Sequence, residues 1–320
     1  MNEFDLIRRY FSGRGVRRDD VPLGIGDDAA LLTPPPGQSL AVTVDTLHSG
    51  VHFDAGIPPA DLGHKALAVN LSDLAAMGAE PAWATLALSL PQVDEAWLTA
   101  FAEGFFALAE RHGVQLVGGD TTRGPLSVTV QAQGFVPQEK ALTRRGARPG
   151  DHVFVTGSLG DAGAGLAIEQ GRLEFAGLPA DFLLARLHRP TPRVGAGLAL
   201  RGLATAVIDI SDGLAQDLGH ILTASGVGAV LDIDHLPLSD ALLASGIDRP
   251  WRLAVSAGDD YELCFTVPAD TGLSVSDGLG CPVTRIGHIT AEPGQRWQDA
   301  AGVPCEPPAR GWDHFAQGEA

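Results

Sequence analysis

One pattern recurs along this chain: five separate stretches lead into aspartate through glycines or an apolar, strand-like run. The first is Gly24-Ile25-Gly26-Asp27-Asp28, and the other four end at Asp45, Asp120, Asp209 with Asp212, and Asp259 with Asp260. Neighbouring carboxylates repel each other, so a folded site that gathers them needs a cation or solvent beside them. The recurrence therefore favours an α/β protein that collects acids at strand ends for metal-assisted phosphate chemistry.

Each stretch by itself has a simpler interpretation. Asp-Asp after Gly-x-Gly is most often a solvated turn, because glycine supplies positive φ and aspartate bonds its own backbone. The segment from Gly157 to Asp161 is likewise either a tight strand-to-helix connection or a helix N-terminus that holds phosphate. Only the repetition of the acidic pattern raises the metal-site hypothesis above these alternatives.

Composition limits the classes of partner. The 320 residues are enough for two domains, each with its own core. Lys and Arg number 22 against 39 Asp and Glu, a formal charge of −17, which argues against nucleic acid and anionic membranes as partners. An acidic protein that handles phosphates needs metal ions to neutralise the charge.

The cysteines and the N-terminus indicate a cytoplasmic protein. Cys264, Cys281 and Cys305 show no Cys-x-x-Cys spacing and are expected to be reduced. No basic region followed by an apolar one is present at the start, so no signal peptide is predicted. The apolar runs are shorter than the roughly 20 residues of a membrane helix.

The element pattern predicts two α/β domains, residues 1–138 and 139–320. In the first, an amphipathic helix over 3–11, placed as a lid or arm, precedes strands at 40–44, 83–90, 114–117 and 126–136 and helices at 58–77 and from 94. In the second, strands are predicted at 151–156, 206–210, 229–233, 252–255 and 261–267, and loop from 292 onward. The stripe Ala66, Asn70, Asp73 and Met77 places Asp73 among apolar neighbours on its helix.

Several nucleotide and metal motifs are missing. The chain has no Gly-x-x-x-x-Gly-Lys-Ser/Thr loop and no His-Arg-Asp catalytic loop. The region from Asp232 to Asp240 lacks the central glycine of a calcium-binding loop. Magnesium suits the acids best, because it prefers oxygen ligands and bridges carboxylates to substrate phosphates.

Six segments in order resemble the thiamine-monophosphate kinase family. They are Gly24–Asp28, Asp45-Thr46, Asn70-Leu71-Ser72-Asp73-Leu74-Ala75-Ala76-Met77-Gly78, Gly118-Gly119-Asp120-Thr121-Thr122, Asp209-Ile210-Ser211-Asp212-Gly213 and Asp260-Tyr261-Glu262-Leu263. The resemblance implies the aminoimidazole-ribonucleotide-synthetase-like fold, with an N-terminal mixed sheet that pairs across a homodimer and a C-terminal α/β domain. It also implies ATP-dependent phosphorylation of thiamine monophosphate in thiamine diphosphate biosynthesis.

The resemblance assigns roles position by position. It places magnesium ions on Asp28, Thr43, Val44, Asp45, Asp73, Asp120, Asp209 and Asp212. Val44 contributes only its carbonyl, where some relatives have Thr. It assigns ATP binding to Gly119, Asp120, Arg144 and Ser211. It assigns substrate binding to His52, Asp259 and Trp312, and Asp259 is at a position where relatives often carry Glu. It assigns catalytic roles to Asp45, Asp120, Arg144 and Asp212.

Two other functions stay open from sequence. One is a relative that phosphorylates an amide or a selenium donor. Some such relatives carry a reactive Cys or Lys near the N-terminus, and this chain has no cysteine before Cys264. The other is a non-catalytic protein that binds nucleotide or metal through its acids. ADP release with different acceptors distinguishes the three.

Overall fold

The computed structural model describes residues 2–271, 278–306 and 311. These residues form two compact units. The N-terminal unit is Met1–Leu74 with Gly78–Ala141, and the C-terminal unit is Ala75–Met77 with the chain from Leu142 onward. Each unit combines helices with its own sheet, so the predicted two-domain α/β class is confirmed.

Within its described residues, the N-terminal unit is a mixed sheet packed with helices. Its elements are α1 (Glu3–Tyr10), β1 (Gln38–His48), α2 (Pro59–Ala76), β2 (Glu80–Leu90), α3 (Glu95–Arg111), β3 (Gln115–Arg123) and β4 (Ser127–Pro137). The strand order is β1-β4-β2-β3. Strand β4 runs antiparallel to β1 and β2, whereas β2 and β3 are parallel.

Helix α3 shows how local sequence sets an element. The Asp94 carboxylate accepts hydrogen bonds from the backbone N–H groups of Ala96 (2.9 Å) and Trp97 (3.0 Å), which caps the first turn. The Trp97 ring stacks on Phe101 at 5.1 Å between centroids, and Phe101 and Phe105 are fully buried. Spacing of four residues places these rings on one helix face. This aromatic stripe is part of the core, as predicted.

The C-terminal unit contains a second mixed sheet in its described residues. Its strands are β5 (His152–Thr156), β6 (Ala206–Asp209), β7 (Gly228–Asp232), β8 (Leu263–Val267), β9 (Val283–Thr290), β10 (Gly294–Gln298) and β11 (Pro304–Cys305). Its helices are α4 (Asp161–Glu169), α5 (Leu178–His188), α6 (Val194–Ala199), α7 (Leu214–Ser225), α8 (Asp240–Ala244) and α9 (Trp251–Ser256). The strand order β11-β10-β7-β9-β5-β8-β6 places β6 at one edge.

Two predicted strands end later than the sequence indicated. Strand β1 continues to His48 and β3 to Arg123, so Asp45 and Asp120 lie inside strands and not at their ends. Asp45 is paired with Val130 of β4 and Asp120 with Ala87 of β2. A strand continues as long as its backbone is paired with a neighbouring strand. Because that neighbour is remote in sequence, the local pattern does not fix where the strand ends.

Two other predictions were wrong. Residues 252–255 belong to helix α9, because a short apolar run fits either period and Pro250 at its N-cap suits a helix start. The tail beyond residue 292 is not all loop. It adds β10 beside β7, where Trp297 is buried, and β11 beside β10.

None of the described helices combines the length and the apolar character needed to cross a lipid bilayer.

Candidate active site

A cavity of about 710 Å³ in the N-terminal unit brings together residues that the sequence predicted for metal and nucleotide. Asp28 reaches it from the loop before β1, and Gly119 and Asp120 reach it from β3. The remaining wall is largely apolar and includes Phe4 and Ile7 of α1, Phe11 at the C-cap of that helix, and Leu86, Leu116 and Val117. The cavity therefore offers carboxylates and open backbone next to an apolar surface.

Gly119 owes its position to close packing between two strands. Its φ is +151°, and an added β-carbon would lie 1.8 Å from the carbonyl oxygen of Leu86 on β2. No residue with a side chain fits there without displacing the strand. Gly119 is itself exposed, so its backbone forms part of the cavity wall beside Asp120.

Side chains along β1 point alternately to the two faces of the sheet. The Thr43 hydroxyl donates a hydrogen bond to the Asp73 carboxylate on α2, so Thr43 and Asp45 lie on the helix side of the strand. Leu40, Val42 and Val44 alternate with them and are exposed. Asp73 is half-buried, which agrees with its predicted position among apolar residues. The side chains of Thr43, Asp45 and Asp73 offer only oxygen atoms, the donor type that magnesium prefers.

His52 lies in the turn that follows β1. Its Nδ1 accepts a hydrogen bond from the backbone N–H of His48 (2.9 Å), which places the ring proton on Nε2 in the neutral tautomer. The buried Lys65 ammonium is 3.5 Å from the His52 carbonyl oxygen, to which it donates. Both contacts hold the backbone of the turn and leave Nε2 as the ring's donor.

In the C-terminal unit, three predicted residues follow one another around the end of β6. Asp209 is buried at the last position of that strand, and Ser211 and Asp212 form the connection to α7. Oδ2 of Asp217 accepts hydrogen bonds from the backbone N–H groups of Ser211 (3.0 Å), Asp212 (3.0 Å) and Gly213 (3.1 Å). Burial, and then the nearby Asp212 charge, raise the pKa of Asp217 to about 7.

Asp259 lies against the same connection. Its backbone N–H donates to the Ser211 carbonyl (2.8 Å), and the Tyr261 N–H donates to the Ile210 carbonyl (2.8 Å). The Tyr261 hydroxyl donates to Oδ1 of Asp259 (3.0 Å). Both residues have positive φ, 68° and 50°, an uncommon conformation for side-chain-bearing residues. The predicted substrate residue and the predicted nucleotide residue thus share one hydrogen-bonded pair of loops.

Arg144 and Trp312 complete the set of predicted site residues. Arg144 is exposed, and its carbonyl accepts a hydrogen bond from the Ser225 hydroxyl (3.3 Å). Trp312 lies outside the described residues. In the part of the chain that the structure describes, no three His, Cys, Asp or Glu side chains are close enough to hold a metal ion by themselves.

A buried ionic network lies beside the Asp259 loop. Glu262, fully buried, accepts hydrogen bonds from Arg186 (2.8 Å) and from two atoms of Arg193 (both 2.6 Å). Both carboxylate oxygens of Asp260 accept from the backbone N–H of Gly160 (3.1 and 2.9 Å). Burial raises the pKa of Asp260 well above its usual value. The network fixes the backbone immediately after Asp259.

Sequence reasoning missed Asp217 and the α1 wall of the cavity. A signal for Asp217 existed, because an acid in the first turn of a helix commonly caps the preceding amides. No comparable signal marks α1. Its helical period indicated an apolar face, but which part of the fold that face meets depends on tertiary packing.

Comparison with known proteins identifies the family of this chain. Residues 26–136 match the family "AIR synthase related protein, N-terminal domain", and residues 148–299 match "AIR synthase related protein, C-terminal domain". Thiamine-monophosphate kinase of Escherichia coli (strain K12) is 54% identical over 319 residues, which cover 98% of each chain. The chain belongs to the thiamine-monophosphate kinase family.

Solved structures extend the family relationship to three dimensions. The crystal structure of thiamine-monophosphate kinase from Stenotrophomonas maltophilia K279a matches with a TM-score of 0.84 at 51% identity, covering 90% of this chain and 93% of that one. AaThiL complexed with AMPPCP and TMP matches with a TM-score of 0.80 at 31% identity, covering 98% and 96%. The family's fold is therefore shared along nearly the whole chain.

Proposed function

We propose that this protein transfers the γ-phosphoryl group of ATP to the phosphate of thiamine monophosphate, giving thiamine diphosphate and ADP. The observation that carries the proposal is 54% identity to a thiamine-monophosphate kinase over 98% of both chains. The structural match to AaThiL complexed with AMPPCP and TMP supports the pair of substrates. The same relationship supports a role in thiamine diphosphate biosynthesis.

The N-terminal cavity supplies groups suited to the nucleotide phosphates. Asp28 and Asp120 contribute carboxylates, and Gly119 contributes accessible backbone. We assign magnesium to these acids together with Thr43, Val44, Asp45, Asp73, Asp209 and Asp212. Their donors are all oxygens, and magnesium usually takes one or two carboxylates and completes its shell with water and substrate phosphate. When bound, magnesium neutralises phosphate charge.

The chemistry requires positioning more than proton removal. The acceptor is already an ionised phosphate oxygen, so no strong general base is required and in-line transfer needs no covalent enzyme intermediate. Arg144, Asp45, Asp120 and Asp212 hold the two anionic substrates in line in this proposal. The exposed Arg144 guanidinium supplies positive charge that balances the transferring group.

The vitamin end of the substrate is a permanent cation, the thiazolium ring. We assign it to Asp259, His52 and Trp312. An aspartate attracts the cation, and an indole face adds roughly 0.5–2 kcal/mol through a cation–π contact. The Tyr261 hydroxyl bonded to Asp259 holds that carboxylate in one orientation.

The test is a product assay with several acceptors. Purified protein is incubated with ATP and magnesium and with thiamine monophosphate, free thiamine or no acceptor, and products are resolved by chromatography. We expect thiamine diphosphate and ADP in equal amounts with thiamine monophosphate alone. ADP release that depends on an amide or selenide, or ATP binding without turnover on any acceptor, would support one of the alternative functions instead.

We further propose a homodimer formed through the outer face of β1. This strand is an edge of the N-terminal sheet. Three alternate side chains on its outer face are apolar and exposed, with Val42 54% and Val44 59% accessible. An exposed apolar edge strand favours association, and the family resemblance supports a second copy of this chain as the partner.

The dimer is tested by mass measurement in solution. Size-exclusion chromatography with light scattering should give twice the 33.3 kDa chain mass for the wild type and the single-chain mass for Val42→Glu. Leu243→Glu changes an apolar residue of similar exposure on α8 and should leave the dimer intact. A wild-type mass of 33.3 kDa at micromolar concentration contradicts the assignment.

We also propose a cytoplasmic location. The absence of a membrane-crossing helix among the described residues is compatible with it. The cysteines, expected to be reduced, are not in disulfides.

A further inference from the structure

The connection between β6 and α7 has an unusual arrangement of backbone donors. Three consecutive N–H groups, those of Ser211, Asp212 and Gly213, converge on one oxygen of Asp217 at 3.0, 3.0 and 3.1 Å. Asp217 is buried, 3% exposed. One side-chain oxygen that accepts three consecutive N–H groups holds the backbone of residues 211–213 in one conformation.

These donors are the kind of group that normally binds phosphate. Backbone N–H groups at a helix N-terminus, together with the helix dipole, attract anions. In this chain an oxygen of Asp217 already occupies the N–H groups that precede α7. With these amides occupied, the Asp212 carboxylate beside them suits a magnesium-bound phosphate better than a bare one.

The same connection also holds the loop that carries Asp259. The Asp259 N–H donates to the Ser211 carbonyl and the Tyr261 N–H to the Ile210 carbonyl, both at 2.8 Å. Space is tight on this side, because a β-carbon on Gly258 would lie 2.3 Å from the Ser211 carbonyl oxygen. A shift of the Ser211 backbone therefore displaces Asp259 as well.

We infer that Asp217 is a positioning residue: its carboxylate fixes residues 211–213 so that this helix end receives magnesium-bound nucleotide, and through Ser211 it also sets the position of Asp259. The inference rests on the proposed function for the roles of Ser211, Asp212 and Asp259.

The decisive variant is Asp217→Asn, which keeps the size but replaces one carboxylate oxygen with an amide group that donates hydrogen bonds. We expect the magnesium concentration for half-maximal rate and the KM for ATP each to rise at least fivefold. Asp161→Asn is the matched control, since Asp161 is also a buried acid of the C-terminal unit but contacts Ser158, Ser239 and Arg186 instead. It should lower stability without changing either value. Equal kinetic changes in both variants would reduce Asp217 to a structural role.

Two measurements do not depend on catalysis. Calorimetry with AMPPCP, with and without magnesium, should show that Asp217→Asn weakens binding in magnesium more than binding without it. Hydrogen exchange of the unaltered protein, without metal or nucleotide, should protect the amides of residues 211–213 at least 100-fold over an exposed loop. Unprotected exchange there overturns the inference even if Asp217→Asn does not fold. A wild type that fails to phosphorylate thiamine monophosphate removes the proposed function but leaves the exchange result standing.

Discussion

Gly119 of β3 and Leu86 of β2 lie opposite each other with so little space that a β-carbon on Gly119 would be 1.8 Å from the Leu86 carbonyl oxygen. The contact joins the strand that carries Asp120 to the centre of the N-terminal sheet. It leaves backbone, and no side chain, on the cavity wall at this position.

Replacing Gly119 by alanine should therefore separate β2 from β3 locally. We expect Gly119→Ala to lower the free energy of unfolding by at least about 2 kcal/mol, since both the contact and the φ of +151° oppose a side chain. Urea denaturation measures the loss. Gly118→Ala is the control, because its nearest neighbour is Thr85 Cγ2 at 3.9 Å and it should cost under about 1 kcal/mol. Equal losses for the two variants would contradict this account.

The carboxylates of Asp45 and Asp120 should matter for turnover and little for folding. Asp120 is exposed and Asp45 half-buried, so an isosteric amide fits at both positions. We expect Asp45→Asn and Asp120→Asn each to reduce kcat about 100-fold or more at saturating magnesium, by analogy with the loss of one preorganised electrostatic contact. Steady-state kinetics with thiamine monophosphate measures the effect. Asp248→Asn, whose side chain is 97% exposed, should leave kcat unchanged. Near-wild-type kcat in both site variants would remove these acids from the mechanism.

Removing the charge of Glu262 should strongly destabilise the C-terminal unit. The fully buried carboxylate pairs with Arg186 and Arg193, which are largely buried, and loss of one member of such a network typically costs about 3–5 kcal/mol. We expect Glu262→Gln to lower the free energy of unfolding, measured by urea denaturation, by an amount in that range. The exposed pair of Arg8 and Asp5 provides the comparison, and Asp5→Asn should change stability by less than about 1 kcal/mol. A small effect of Glu262→Gln would mean that the arginines find other partners.

His112 should make stability depend on pH in the mildly acidic range. Burial, and then the charges of Arg111 and His64, lower the pKa of His112 from 6.5 to about 4. Between these values the unfolded chain holds a proton that the folded chain does not, so stability falls as the pH drops from 6.5 towards 4. Unfolding free energies of wild type and His112→Gln at pH 7.5 and pH 5 isolate the effect. The wild type should lose more stability between the two pH values than the variant, and equal losses would indicate an unperturbed ring.

Structural features with local causes could be predicted from the sequence, whereas features that depend on remote segments could not. The Asp94 cap and the aromatic stripe of α3 could be predicted because partners within four residues create them. The ends of β1 and β3 could not, since pairing with β4 and β2 extends them past Asp45 and Asp120. Residues 252–255 illustrate a third case. A short apolar run fits the periods of both a helix and a strand, and the helix start at Pro250 selects the helix.

The amino-acid sequence by itself determined which carboxylates exist, which family the chain resembles, and the two-domain α/β class, because residue type, motif order and periodicity are local properties. Only the tertiary structure decided that Asp28 and Asp120, 92 positions apart, line one cavity, and that Asp217 occupies the three amides before α7. Both depend on packing between distant segments and on where backbone donors point after the chain has folded. The spacing of residues along the chain does not specify either of these.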